Sequence, residues 1–186
     1  MESDHYSADY VFKAVAVGSG GVGKTSLIRR FALNKFETSY LMTLGVDFTT
    51  KEIVINDPET SKDLKIKLVL ADTAGQEFYG KIRPSYYSGS NAAIILFDLT
   101  NRNSFESLPR WITELNQYLP GVPMAIVGNK LDLEDSRRVT KEEAEKFSEN
   151  NNMAYFETSA KVGAGVDPIF EYISKKILKR IREKNN

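Results

Sequence analysis

The sequence predicts an α/β domain built on a mostly parallel sheet. Short apolar runs alternate with helical periodicity along the whole chain, two of those runs are continuously apolar, and a glycine cluster joins the first run to a helix. Val11 to Val17 is the first strand, and Lys24 to Leu33 is the helix beyond the glycines. Asn34 to Thr43 is polar and aperiodic, hence a loop. Val46 to Ile55 and Leu64 to Leu70 form paired strands around the turn signal Asn56-Asp57-Pro58. In the second of them Leu64, Ile66, Leu68 and Leu70 alternate with Lys65 and Lys67, the period of a half-buried strand. Ala92 to Phe97 and Val122 to Val127 have the all-apolar character of central strands buried on both faces. Between them, Ser104 to Leu119 is predicted as one helix with Pro109 near its first turn. Thr140 and Glu143 make a capping box for a helix that ends near Asn150, and Met153 to Phe156 is a short strand. The last helix is expected to take Asp167 as its N-cap and Pro168 as its first residue. Ile169, Ile173, Ile177 and Ile181 give it one buried stripe.

Composition narrows the function. A length of 186 residues fits one domain, expected over residues 11–183, with a polar leader at 1–10 and a short tail at 184–186. Basic and acidic residues balance at 25 each, so a generalised nucleic-acid binder, which carries a basic excess, is not expected. The absence of cysteine excludes thiol enzymes, disulfide scaffolds, cysteine-ligated metals and lipid attachment through a thiol. With His5 as the only histidine, a serine–histidine triad is not expected either. The longest strongly apolar run, Ala92 to Phe97, is far too short to span a bilayer. The leader MESDHYSADY does not resemble a signal or transit peptide, so the expected compartment is the cytoplasm.

Three segments carry chemistry. Gly18-Ser-Gly-Gly-Val-Gly23-Lys24-Thr25 follows a strand and opens a helix. Glycines let the backbone curl around phosphates with its N–H groups aimed at the anion. Lys24 can reach the β- and γ-phosphates, and the Thr25 hydroxyl can ligate Mg²⁺. The second is Asp72-Thr-Ala-Gly75-Gln76-Glu77, expected just beyond a strand end at Ala71. There a carboxylate can hold magnesium, usually through water, Gly75 can bring its N–H to a γ-phosphate, and Gln76 can orient an attacking water. The third is Asn129-Lys130-Leu131-Asp132. A carboxylate accepts from guanine N1–H and the 2-amino group, and adenine offers neither donor. A buried carboxylate left unpaired in this way supports discrimination of about 10⁴-fold or more. Lys130 would lie along the base face, and Asn129 would tie this loop to the phosphate loop.

Together these motifs resemble the Ras superfamily of small GTPases, most closely the Rab family, from about Val11 to Ile181. The resemblance implies a P-loop NTPase-type three-layer fold: a mostly parallel six-stranded sheet with one antiparallel edge strand and helices on both faces. It implies GTP and GDP as ligands with Mg²⁺, and phosphates cradled by Ser19, Gly20, Gly21, Val22, Gly23, Lys24, Thr25 and Ser26. Leu133 joins Asn129, Lys130 and Asp132 around the base. Glu157-Thr-Ser-Ala-Lys161 matches the last guanine-contacting loop, where Ala160 donates its backbone N–H to the guanine oxygen and Ser159 and Lys161 support it. Phe36 matches an aromatic against the guanine, and Tyr40 a tyrosine covering the phosphates. Thr43 matches the switch threonine that ligates Mg²⁺ with Thr25 and Asp72. Lys24, Thr43, Gly75 and Gln76 are then the catalytic set, and a slow hydrolysis raised by an activating protein is expected.

The Rab type rests on Leu44-Gly-Val-Asp-Phe48, Ser85-Tyr-Tyr-Ser-Gly89 and Phe97-Asp-Leu-Thr100. It implies an exchange factor, an activating protein and effectors that read residues 36–48 and 73–86, and a monomer. Ala71 stands where the family has tryptophan and Phe78 where it has arginine, which alters the expected effector surface although Phe48 and Tyr86 match. The chain ends Lys-Asn-Asn where the family carries prenylated cysteines. Glu171 to Asn186 holds six basic and two acidic residues, which is either a solvated helix face or a weak contact for anionic lipid. Two rival functions stand beside the switch. A non-hydrolysing GTP-binding module with an altered effector surface would not need Thr43, Gly75 and Gln76. An ATP-using metabolite kinase is opposed by the Asn129-Lys130-Asp132 loop and the lack of an arginine-rich lid.

Overall fold

The computed structural model describes residues 8–37, 45–73 and 83–185. Its strands are β1 (Tyr10–Val17), β2 (Val46–Asn56), β3 (Asp63–Thr73), β4 (Ala92–Asp98), β5 (Met124–Asn129) and β6 (Ala154–Thr158). They form one six-stranded sheet in the order β2-β3-β1-β4-β5-β6. β1 runs parallel to β3 and to β4, β5 runs parallel to β4 and β6, and only the edge strand β2 is antiparallel, beside β3. The short connection between β2 and β3 permits the antiparallel pair, and helical crossovers supply the parallel ones.

The helices are α1 (Lys24–Leu33), α2 (Arg83–Tyr87), α3 (Arg102–Glu106), α4 (Leu108–Tyr118), α5 (Lys141–Asn150) and α6 (Asp167–Asn185). Strand alternation divides the core in two. Phe12, Ala14 and Ala16 of β1 and Ile94 and Leu96 of β4 pack with Leu27 and Phe31 of α1 and Phe170 and Ile173 of α6. Val15, Val17, Ile95 and Phe97 turn to the opposite face and pack with Trp111 and Leu115 of α4 and Ala144 of α5. Both faces of the central strands are therefore covered, which is why these strands read as unbroken apolar runs. Each large side chain buried in this way contributes about 1.5–3 kcal/mol.

Several boundaries differ from the expected ones. The helix predicted over 104–119 is two helices that meet at Ser107. Pro109 has no N–H for the carbonyl of Phe105, and its ring crowds that carbonyl, so it is tolerated only within the first turn of a new helix. Asn101 caps α3 through its side chain, which accepts the Ser104 N–H at 3.3 Å. The expected cap at Thr140 is present, with Oγ1 accepting the Glu143 N–H at 3.2 Å. Asp167 is itself the first helical residue of α6, and the helix runs to Asn185, past the expected domain end at 183. Ile169, Ile173 and Ile177 are buried as expected, while Ile181 is only partly covered. β3 continues to Thr73, so Asp72 sits within the strand, paired with Ala16 of β1 and Asp47 of β2. β5 starts two residues late, after Pro123, and reaches Asn129.

Because β1, β3, β4, β5 and β6 all run the same way, their C-terminal ends share one rim of the sheet. Val17, Thr73, Asp98, Asn129 and Thr158 stand there, and each chemistry-bearing segment begins at this rim. In open α/β sheets that rim is where ligands bind. Among the described residues no helix is long and apolar enough to cross a membrane.

Candidate nucleotide-binding site

The loop from Gly18 to Gly23 turns the chain from β1 into α1. Gly23 holds φ at 99°, and a Cβ there would stand 2.2 Å from Asn129 Nδ2, so only glycine serves both the backbone and the neighbour. Lys24 is 6% exposed, and its ammonium donates back to the carbonyls of Gly18 at 2.9 Å and Ser19 at 3.0 Å. The lysine thus lies folded over the loop that it would share with phosphate. Val22 is buried, and Gly20 and Gly21 are exposed at the crest. Ser19 Oγ lies 3.0 Å from Ser107 Oγ, at the break between α3 and α4. The first turn of α1, which includes Ser26, carries no acidic residue, so the positive end of the helix is left for an anion.

Thr25 Oγ1 donates to Asp72 Oδ2 at 2.5 Å, bringing the second residue of α1 against the end of β3. Thr73 Oγ1 donates to the Ala16 carbonyl at 2.7 Å and fixes that end of β3 to β1. A hydroxyl and a carboxylate oxygen, both hard donors, can serve the same small cation. Among the described residues no group of three or more His, Cys, Asp or Glu could cage a metal. That pair fits Mg²⁺, which keeps most of its shell as water and phosphate and takes few protein ligands.

Asn129 joins three segments. Its Nδ2 donates to the Val22 carbonyl at 2.9 Å, and its Oδ1 accepts from Thr158 Oγ1 and from the Ala160 N–H, each at 3.2 Å. The side chain is 2% exposed and has the low-dielectric surroundings in which such bonds hold best. Lys130 takes a left-handed backbone, φ 71°, and its ammonium pairs with Asp98 Oδ2 at 2.7 Å. Asp132 opens a short 3-10 turn, Leu131–Ser136, and accepts from Ser159 Oγ at 2.5 Å, with Lys161 Nζ 3.9 Å from its other oxygen. Leu133 is exposed, with a non-helical backbone inside that turn. The 159–164 loop is closed by its own bonds, Ser159 N–H to the Ala164 carbonyl at 3.0 Å and Gly163 N–H to the Ser159 carbonyl at 2.8 Å. Phe36 is half-buried and packs against the core cluster that includes Phe31. Tyr40, Thr43, Gly75, Gln76 and Phe78 lie outside the described residues.

Some contributors carry no motif in the sequence. Arg137 forks onto Glu157 at 2.9 and 3.0 Å and also holds Glu134, so it ties the turn after Asp132 to β6. Burial by itself would raise the Glu157 carboxyl, but the Arg137 guanidinium and the Tyr155 hydroxyl hold it below its ordinary value. Arg30 of α1 reaches the carbonyls of Ala160 and Lys161. These residues join segments far apart in the chain, where no local spacing gives a signal. Asp98 and Glu157 do stand in motif runs, Phe97-Asp-Leu-Thr100 and Glu157-Thr-Ser-Ala-Lys161.

On the outer edge, Phe48 is 52% exposed and its cross-strand partner Ala71 is fully buried. Lys13 Nζ lies 5.4 Å from the Phe48 ring centre and donates to the carbonyls of Tyr86 at 2.9 Å and Ser88 at 2.7 Å. Burial lowers the pKa of that ammonium. Lys13 thus links the Phe48 ring to the Tyr86 backbone.

A strand–glycine loop–helix that offers Lys24 and Thr25, with a strand-end carboxylate touching the threonine, defines a P-loop nucleotide-binding protein. The profile of the Ras family matches residues 13–179. The chain is 42% identical over 176 residues to the human Ras-related protein Rab-30, covering 94% of this chain and 84% of that protein. It is 40% identical to Ras-related protein Rab-2B of Dictyostelium discoideum, with the same coverage. It is 37% identical to the GTP-binding protein ypt3 of Schizosaccharomyces pombe, over 99% of this chain and 83% of that protein. The chain belongs to the Ras family, and within it is similar to Rab proteins. It is a guanine-nucleotide-binding switch and a GTPase, of the Rab-like kind that serves membrane traffic.

Proposed function

We propose that the rim of the sheet binds GTP or GDP through two halves that Asn129 holds together. The carrying observation is the Asn129 side chain, bonded at once to the phosphate loop and to the 158–160 segment. In this reading the N–H groups from Ser19 to Ser26 and the Lys24 ammonium bind the phosphates. Asp132 accepts from guanine, with Ser159 and Lys161 steadying the carboxylate. Ala160 N–H turns from its long bond with Asn129 to the guanine oxygen, Lys130 and Phe36 flank the base, Leu133 borders it, and Tyr40 covers the phosphates. Thr25 and Thr43 hold Mg²⁺, with Asp72 acting through water. When bound, the ion neutralises charge on the β- and γ-phosphate oxygens.

Hydrolysis then needs a water held in line, and Gln76 orients it while Gly75 N–H and Lys24 stabilise charge on the transferring phosphoryl group. The phosphate loop offers no arginine, so turnover without a partner is expected on the order of 10⁻⁴–10⁻³ s⁻¹. Exchange factors, activating proteins and effectors read residues near 36–48 and 73–86, and the protein acts as a cytoplasmic monomer whose association with membranes is weak or partner-mediated.

Asp132→Asn tests the base assignment. An amide cannot accept from both guanine donors, but it can donate to the 2-oxygen of xanthine. The variant should lose GDP affinity by at least about 10³-fold and gain affinity for xanthosine diphosphate, measured by displacement of a fluorescent nucleotide. Unchanged GDP binding would remove Asp132 from the site.

A further inference from the structure

Arg30 stands six residues beyond Lys24 on α1, about 9 Å along the helix axis. Its Nε donates to the Ala160 carbonyl at 2.8 Å and its Nη2 to the Lys161 carbonyl at 2.6 Å, across 130 and 131 residues of chain. Nη1 lies 3.3 Å from the Asn34 carbonyl and 3.2 Å from Asn34 Oδ1, at the left-handed end of α1. Among the described residues the guanidinium is not spent on a carboxylate. It is a planar fork set against two successive carbonyls, and such a fork fixes two peptide planes at once. Gly163 closes over its stem, where a Cβ would meet Arg30 Cδ at 3.6 Å. α1 is therefore braced at one end by the Thr25–Asp72 contact and farther along by the base loop, with one rigid helix between.

We propose that Arg30 is a positioning residue for the guanine site: it holds the Ala160–Lys161 segment so that the Ala160 N–H faces the base, and it thereby sets how long the nucleotide stays bound. The proposal deepens the nucleotide reading above and rests on it. It assigns to α1 a second task, since the helix that presents Lys24 and Thr25 to the phosphates also fixes the loop at the far end of the ligand. Motion of α1 would then loosen both ends together.

The test measures release rates of two nucleotides from the intact, Mg²⁺-loaded protein by stopped-flow chase. One is GDP carrying a ribose fluorophore. The other is 2-aminopurine riboside diphosphate, which keeps the 2-amino group and lacks both the 6-oxygen and the N1–H. It leaves faster from every form of the protein, so each variant is compared with the unaltered protein on the same nucleotide. Arg30→Ala should release GDP about tenfold faster, equivalent to about 1.4 kcal/mol. Its release of the 2-aminopurine nucleotide should stay within about twofold of the unaltered protein, because the contact that Arg30 supports is already absent from that ligand. Arg30→Lys, which keeps the charge and can reach only one carbonyl, should fall between on GDP and keep the fold if the alanine variant loses it.

A purely structural role would speed both nucleotides alike, and that result overturns the proposal. So does an unchanged GDP rate in both variants while the unaltered protein prefers guanine to adenine. If the unaltered protein shows no guanine preference, the base-site reading itself fails, and this outcome is separable from the other two.

Discussion

Gly23 and Asn129 depend on each other at close range. The left-handed backbone at Gly23 and the 2.2 Å approach that a Cβ would make to Asn129 Nδ2 act on the same atom pair. Gly23→Ala imposes about 1–2 kcal/mol of backbone strain and pushes Asn129 off the Val22 carbonyl. Nucleotide affinity should fall by more than about tenfold and the melting temperature should drop, read by equilibrium titration and calorimetry. Retained affinity would mean that Asn129 does not unite the two halves of the site. In the function proposed above, Gln76 serves the chemistry rather than binding. Gln76→Leu removes the group that orients water and leaves every other ligand contact, so GTP should bind normally while single-turnover hydrolysis slows by at least about tenfold. Unchanged hydrolysis would defeat the role. The motif residues were legible one by one because a phosphate loop, a strand-end carboxylate and a guanine loop are local patterns. Arg30 and Arg137 were not, because a fork onto a carbonyl or carboxylate more than a hundred residues away, or across a turn, leaves no period in the sequence.

Among the elements, the β2–β3 hairpin and α6 are joined by a pair that the turn signal hid. Asp57 lies in the Asn56-Asp57-Pro58 turn signal, yet its side chain is 1% exposed, and Arg182 forks onto it at 2.6 and 2.8 Å. Thr60 Oγ1 and the Glu59 N–H also donate to it, and Glu59 takes a second contact from Arg182 at 2.9 Å. The Arg182 guanidinium, then the Thr60 hydroxyl, hold the Asp57 carboxyl well below the usual carboxylate range. A carboxyl depressed in the folded state contributes stability above its unfolded value, near 4, and loses it as pH falls toward the folded one. Asp57→Asn should therefore melt lower than the unaltered protein at pH 7, and the gap should narrow below about pH 4. A gap that stays constant from pH 7 to pH 3 would show that the charge is not what binds α6 to the hairpin. Element boundaries were the weaker part of the sequence reading for a related reason. Pro109 signalled a first turn but not that another helix ended at Glu106, and the strand ends at Thr73 and Asn129 were hidden because polar residues there are paired rather than solvated.

At the scale of the whole molecule, the sheet order explains how a phosphate could be felt at a distance. Val46, the first residue of β2, pairs with Thr73, the last of β3, so the strand ends that adjoin residues 38–44 and 74–82 in the sequence lie side by side. Both strand ends stand at the rim, where Asp72 accepts from Thr25. In the function proposed above, each segment carries a residue for the γ-phosphate, Thr43 in one and Gly75 in the other, and loss of that group would remove an anchor from each. The far end of the same hairpin is held by Arg182, so a change at the rim is expected to leave the β2–β3 ladder and α6 in place. A partner that touches both segments then binds one state in proportion to its differential contacts. Hydrogen exchange with GDP and with a non-hydrolysable GTP analogue tests this arrangement. Amides near 36–46 and 73–85 should exchange faster with GDP, in step with each other, while Leu64 to Leu70 and α6 stay equally protected in both states. Equal protection of the two rim segments in both states would mean that the γ-phosphate is not their anchor. Exchange that rises in α6 as well would mean that the Asp57–Arg182 tie does not isolate the helix from the switch.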